Sequence, residues 1–286
     1  MRRRAWMVLG GCLLAAVALA EPATLATTGQ GRGPTLLFLH GMGGTRDNWK
    51  PAVEKLSGYH VVLADLPGHG RSSLPDPFSL EAAAEQVAAT LRTLKAESTV
   101  VVGQGMGGVL ALKALVAHPG RARGLVLIDV SLAGPLKGAS DPDGKRQFYE
   151  QNPALAKAAF ANLGRDSLQN IEIRAQVDKV PSETLGLFFG RLMTLDANQD
   201  IRAARLPILA VGTSRVWPLS MDSVSFMQQM GYEGATTLRL ARLPDAGLLV
   251  ASDQPDTLAA LVDRFTSRVL RKGTAPQHSG TKPHGR

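Results

Sequence analysis

The sequence carries one cysteine in 286 residues, Cys12, and it lies inside an apolar N-terminal stretch. Beyond that stretch there is no thiol, which excludes disulfides, thiolate metal sites and a cysteine nucleophile. Acidic residues are missing from both ends. Arg2, Arg3 and Arg4 open the chain, and from Arg264 onward there are six basic residues and no acid. These two segments hold nine of the 32 Lys and Arg residues, leaving 23 against 24 acids in between. The formal charge of +8 is therefore assigned to a targeting segment and a tail, and a basic stripe on the folded body, as nucleic-acid binding would need, is not expected. Long apolar runs are also absent. The longest, Ala5–Leu19, falls short of the roughly 20 residues of a membrane-spanning helix, so no stable span is expected in the mature chain.

What is present at the N-terminus, "MRRRAWMVLGGCLLAAVALAEP", is a basic start, an apolar run, and small residues at Ala18 and Ala20. That pattern predicts an export signal over residues 1–20, cleaved after Ala20, and a periplasmic or secreted protein. A lipoprotein anchored at Cys12 is the other reading, with a short apolar run before the cysteine. From Gly273 the chain turns Gly/Pro-rich and polar, and residues 273–286 are expected to be a disordered basic tail containing His278 and His284.

Between these ends, strand-like apolar runs alternate with helical patterns. The runs are "TLLFLH" (35–40), "HVVLAD" (60–65), "TVVVG" (99–103), "GLVLID" (124–129), "PILAVG" (207–212) and "TTLRLARL" (236–243). Helices are predicted over Ser79–Leu94, with Ser79 as N-cap, over Gly107–His118, and over Pro255–Leu270. Strands apolar on both faces and separated by helices imply an α/β fold with a mostly parallel sheet covered on both sides. Residues 134–200 break the rhythm with helical patterns and no strong strand. They are expected to form a helical cap inserted into a core of residues 21–133 and 201–272.

Four stretches carry a resemblance. "TVVVGQGMGG" (99–108) is a strand, a sharp turn at Gly103–Gly107 and a helix start; "LLFLHGMGGTRDNW" (36–49) is a strand followed by a His-Gly turn. "VVLADLPGHGRSS" (61–73) is a strand and a D-x-P-G-H-G-x-S loop, and "LPDAGLLVASDQP" (243–255) is a loop leading into a helix. In this order they resemble the α/β-hydrolase fold in its cap-containing form. The resemblance implies a nucleophile elbow at 103–107 and oxyanion-hole amides from Gly41–Met42 and Met106. It also implies a Ser-His-acid set in which the imidazole takes the hydroxyl proton and the carboxylate orients the imidazole.

Residue by residue, those three roles fall on Gly105, Leu248 and the neighbourhood of Arg215. None of these side chains can do the work. Asp129 is an alternative acid, or a strand-end structural residue. His40 and His69 are expected to brace loops, Ser72 and Ser73 to hydrogen-bond within theirs, and Asp65 to orient its own. His60 begins a strand, and His118 ends a helix. The elbow residue sits at positive φ, where glycine relieves the strain a Cβ would bring.

The leading expectation is a member without hydrolase activity. It would bind a small apolar carbonyl or carboxylate ligand, or a protein partner, at a pocket of His40, Gly41, Met42, Gln104, Gly105, Met106 and Leu248. The alternative is an active esterase with relocated catalytic groups. A third reading takes Gly103-x-Gly105-x-x-Gly108 with Asp129 as a dinucleotide-binding fingerprint. Neither a cofactor nor a metal is implied by the leading reading.

Overall fold

The computed structural model describes residues 22–272. The expected signal segment and tail lie outside the described residues. The first half comprises β1 (Thr27–Gly31), β2 (Thr35–Leu39), α1 (Lys50–Val53), β3 (His60–Ala64), α2 (Leu80–Arg92), β4 (Thr99–Gln104), α3 (Met106–Ala117) and β5 (Gly124–Ile128). Five helices follow: α4 (Pro142–Gln151), α5 (Pro153–Phe160), α6 (Ser167–Val177), α7 (Ser182–Met193) and α8 (Asn198–Ala203). The chain then returns to the sheet through β6 (Ile208–Thr213), α9 (Ser223–Met230), β7 (Leu238–Leu243), α10 (Val250–Asp253) and α11 (Pro255–Lys272).

The strands form one sheet in the order β1-β3-β2-β4-β5-β6-β7, with only β1 antiparallel to its neighbour. Alternation along each strand sorts the side chains into two cores. Leu37, Leu39, Val101, Leu125 and Leu127 face α2 and α3, while Leu36, Phe38, Val100, Val102, Val126 and Ile128 face α1 and α11. Because every residue of β2, β4 and β5 is buried, these strands read as continuous apolar runs in the sequence. β1 was not legible. Its five residues, TTGQG, are all exposed and polar or glycine, and pairing with β3 alone defines it.

Ser79 caps α2 by accepting from the Ala82 amide at 3.0 Å. The inserted helices leave and rejoin the body through a neck in which the Gly134 amide donates to Leu195 O and the Ala197 amide to Leu132 O. The insertion ends a little before the expected boundary at Asp200. α8 packs with the body, where Asp200 meets Lys113 of α3 at 3.1 Å and Ile201 joins the core.

Candidate functional site

At the C-terminal ends of β2 and β4 the chain makes two turns that meet. Gly105 stands between β4 and α3 with φ 49° and ψ −121°, its amide donating to Ile128 O at 3.0 Å. Its glycine neighbours are fixed by close packing. A Cβ on Gly107 would lie 2.3 Å from His40 O, one on Gly103 2.5 Å from the Gly108 Cα, and one on Gly108 2.3 Å from a Val130 methyl. At Gly105 the nearest heavy atom would be the Gly41 Cα, 3.9 Å away. Position 105 therefore has room for a side chain and the backbone of an elbow, yet carries a hydrogen. The φ there is unfavourable for any residue with a Cβ, by about 1–3 kcal/mol.

The loop after β7 closes over this turn. Gln104 Nε2 donates to Leu248 O at 2.8 Å, and the Leu248 amide donates to Leu163 O at 3.2 Å, fastening the loop to the inserted helices. Those helices sit tightly on the turns. Asn48 Nδ2 donates to Gln176 Oε1 at 3.0 Å, and a Cβ on Gly43 would meet a Val177 methyl at 2.9 Å. Between them remains a cavity of about 20 Å³ lined by Gly41, Met42, Gln104, Leu248, Phe160 and Ile173 among others. That is space for about one water. Of the predicted pocket residues, Gly41, Met42, Gln104 and Leu248 line it, while Gly105 and Met106 lie beside it, the Met106 side chain packed into the core.

His40 does not line the cavity, against expectation, because its ring is committed elsewhere. Its Nε2 accepts from the Leu66 amide at 3.0 Å and its Nδ1 faces Gly41 O at 2.8 Å. An amide can only donate and a carbonyl only accept, so the ring is the neutral Nδ1–H tautomer. His69 is held the same way, Nε2 accepting from the Gly43 amide at 3.1 Å and Nδ1 donating to Pro67 O at 3.0 Å. Burial pushes His40 down to about 3, with His69 nearby adding to the shift, and burial pushes His69 down to about 4. Both rings join the His-Gly turn to the loop after β3, and neither has a lone pair left to take a proton from substrate.

Arg215 does not reach the cavity either. Its Nη2 lies 3.1 Å from Asp129 Oδ2, and Asp129 also accepts from the Thr213 amide at 2.8 Å and the Thr213 hydroxyl at 2.7 Å. The charge of Arg215 is neutralised at a strand end. With its side chain fully buried and three donors upon it, Asp129 ties β5 to β6. It has no oxygen aimed at a histidine or a ribose. The dinucleotide reading loses its acid, and two of its three glycines, Gly103 and Gly108, are accounted for by packing against each other and Val130.

The other polar residues are local. Ser72 Oγ donates to Asp65 O at 2.8 Å, Asp65 pairs with Arg46 at 3.3 Å, and His118 Nε2 faces Glu85 at 2.7 Å. Among the described residues a single hydroxyl–imidazole pair exists, Thr35 with His60 at 3.3 Å, at the N-terminal ends of β2 and β3 and so a strand's length from the elbow. No three His, Cys, Asp or Glu side chains among the described residues are grouped to hold a metal, and no helix there is long and apolar enough to cross a membrane. The cross-links Asn48–Gln176 and Gln104–Leu248 were missed from sequence, since nothing in their spacing signals them.

A parallel sheet with one antiparallel edge, a strand–elbow–helix at its centre and helices inserted after β5 define the α/β-hydrolase class. Comparison agrees: residues 34–172 match the family described as alpha/beta hydrolase fold. A pimeloyl-[acyl-carrier protein] methyl ester esterase of Pseudoalteromonas atlantica is 30% identical over 230 residues, covering 73% of this chain and 84% of that protein. Lipase 3 of Moraxella sp. strain TA144 is 35% identical over 162 residues, 48% of this chain and about half (51%) of the lipase. Among solved structures, a thermophilic esterase from Thermogutta terrifontis superposes with a TM-score of 0.69 at 23% identity, covering 86% of this chain and 93% of that one. The chain belongs to the α/β-hydrolase family.

Proposed function

We propose that this chain is an exported α/β-hydrolase-fold protein that acts by binding rather than by the serine-hydrolase mechanism. The observation that carries the reading is position 105, which has an elbow's backbone and room for a side chain but no hydroxyl. Support comes from Leu248 at the histidine position and from the two neighbouring imidazoles, whose nitrogens are all engaged by backbone. The cavity volume bears on the occupant. A ligand with a carbonyl or carboxylate end would find the first amides of α3, at a helix N-terminus that favours negative charge. It would, however, have to displace Phe160, Ile173 and Leu248 from about 20 Å³ of space. A protein partner docking over the closed helices needs no such opening, and is the occupant favoured by the geometry. The export reading rests on the N-terminal sequence, and cell fractionation checks it.

The names of the relatives favour the second reading, an active esterase. Such an enzyme would need a nucleophile other than residue 105. One experiment separates the two: hydrolysis of short-chain aryl esters by the purified protein, with heat-killed protein as control. Saturable turnover abolished by heat overturns the binding reading. A parallel thermal-shift screen of carboxylic acids and esters tests the small ligand. A ligand at a hundred times its Kd adds about 2.7 kcal/mol, or about 5–10 °C in a domain of this size.

A further inference from the structure

The sheet ends at β7, whose far edge has no partner strand among the described residues. The ladder to β6 fixes which groups that edge offers. The Ile208 amide donates to Thr237 O at 3.1 Å, and in a parallel pair alternate residues turn toward the neighbour. Arg239, Ala241 and Leu243 therefore bond to β6, while the backbone N–H and C=O of Leu238, Leu240 and Arg242 point outward.

Beside this edge, a groove of about 550 Å³ runs between β7 and α11, lined by Leu209, Arg239, Ala241, Leu261, Arg264 and Arg268 among others. The charge count grouped the basic residues from Arg264 onward with the tail, yet Arg264 and Arg268 fall in the helix expected over Pro255–Leu270, which runs as α11 to Lys272. Arg264 and Arg268 thus lie one turn apart on the folded body, on the side Arg239 faces. These three guanidinium groups are exposed and have no ion pair among the described residues. Asp263 also borders the groove, and the Tyr59 hydroxyl donates to it at 2.6 Å.

We propose that the β7 edge and the β7–α11 groove form a docking site for an extended acidic segment of a protein partner. The segment would add to the sheet beside β7, with acidic side chains at alternate positions over Arg239, Arg264 and Arg268. An open strand edge gives main-chain affinity, and alternate side chains give specificity. A polypeptide is favoured over nucleic acid or an anionic lipid surface because only a backbone of amides matches outward N–H and C=O groups at ladder spacing. A second copy of this chain is disfavoured, since edge-to-edge pairing about a two-fold axis would bring both sets of arginines onto one face. The proposal stands on β7 and α11 and does not rest on the reading of the elbow.

The test is fluorescence anisotropy of the full chain with a labelled peptide of about eight residues alternating glutamate with valine and threonine. A peptide with a central proline and one with lysine for glutamate serve as controls. Expected are saturable binding, and a loss of about tenfold or more with proline, with lysine, or with Arg239→Glu combined with Arg264→Glu. The double variant, exposed at both positions, should keep its melting temperature. Hydrogen exchange at Leu238, Leu240 and Arg242 should slow on peptide addition. No binding, equal binding of the proline peptide, or an unaffected double variant overturns the proposal. So does tighter binding of single-stranded DNA or of phosphatidylglycerol vesicles than of the glutamate peptide.

Discussion

Lowering the pH from 7 to 5 should cost this fold about 4 kcal/mol through two side chains, His40 and His69. In the native state each ring is neutral, accepting an amide at Nε2 and donating to a carbonyl at Nδ1. Protonation would place a second proton against an N–H donor in a buried site. The native values are about 3 and about 4, against about 6.5 for an unfolded histidine. Because the unfolded chain binds the proton first, the contribution is fully present above pH 6.5. It is lost as the pH falls toward 4, where His69 begins to titrate in the native state. Each histidine contributes about 1.4 kcal/mol per pH unit in that window, hence about 2 kcal/mol by pH 5. Their sum is a large part of the 5–15 kcal/mol typical of a domain. Urea-unfolding curves at half-unit intervals from pH 7 to 4.5 measure it, and the slope should fall by about half in His69→Gln. Nitrogen-15 shifts of the two rings should report neutral Nδ1–H tautomers at pH 6. A stability flat from pH 7 to 5, or a ring with a free, titrating Nε2, would refute the reasoning and reopen a role for these histidines in proton transfer.

Gly105→Ser should fold with a loss of about 1–3 kcal/mol from its positive φ and should not gain esterase turnover, because no imidazole lone pair faces it. By contrast, Gly107→Ala should lose several kcal/mol or fail to accumulate, since its Cβ would overlap His40 O; thermal melts of the pair make the comparison. Arg215→Ala should lower stability by about 1–2 kcal/mol, less than a fully buried pair would lose, because the Arg215 side chain is 31% exposed and Thr213 still donates to Asp129. If Arg215→Ala instead leaves the melting temperature unchanged, Asp129 does not depend on that pair.

Much of the sheet could be read because burial on both faces writes itself into the chain as uninterrupted apolar runs. β2, β4 and β5 show this, and Ser79 marked the start of α2 because its hydroxyl can accept from an otherwise unpaired first-turn amide. β1 could not be read, since a strand made only of main-chain pairing leaves no side-chain pattern.

The sequence by itself determined that the turn between β4 and α3 carries Gly105 and so no hydroxyl, because side-chain identity needs no coordinates; that the acid and histidine positions fall near Arg215 and on Leu248 is what the family resemblance implies. Only the tertiary structure decided what surrounds those positions. The fate of a side chain depends on partners far away in the chain, such as Leu66 for His40, Thr213 for Asp129 and Leu248 for Gln104. It was likewise the packing of α11 beside β7 that set Arg264 and Arg268, which the charge count had grouped with the tail although they lie in the predicted helix, next to Arg239. Local order fixes which charges a segment carries; where those charges stand is set by which apolar faces must be buried together.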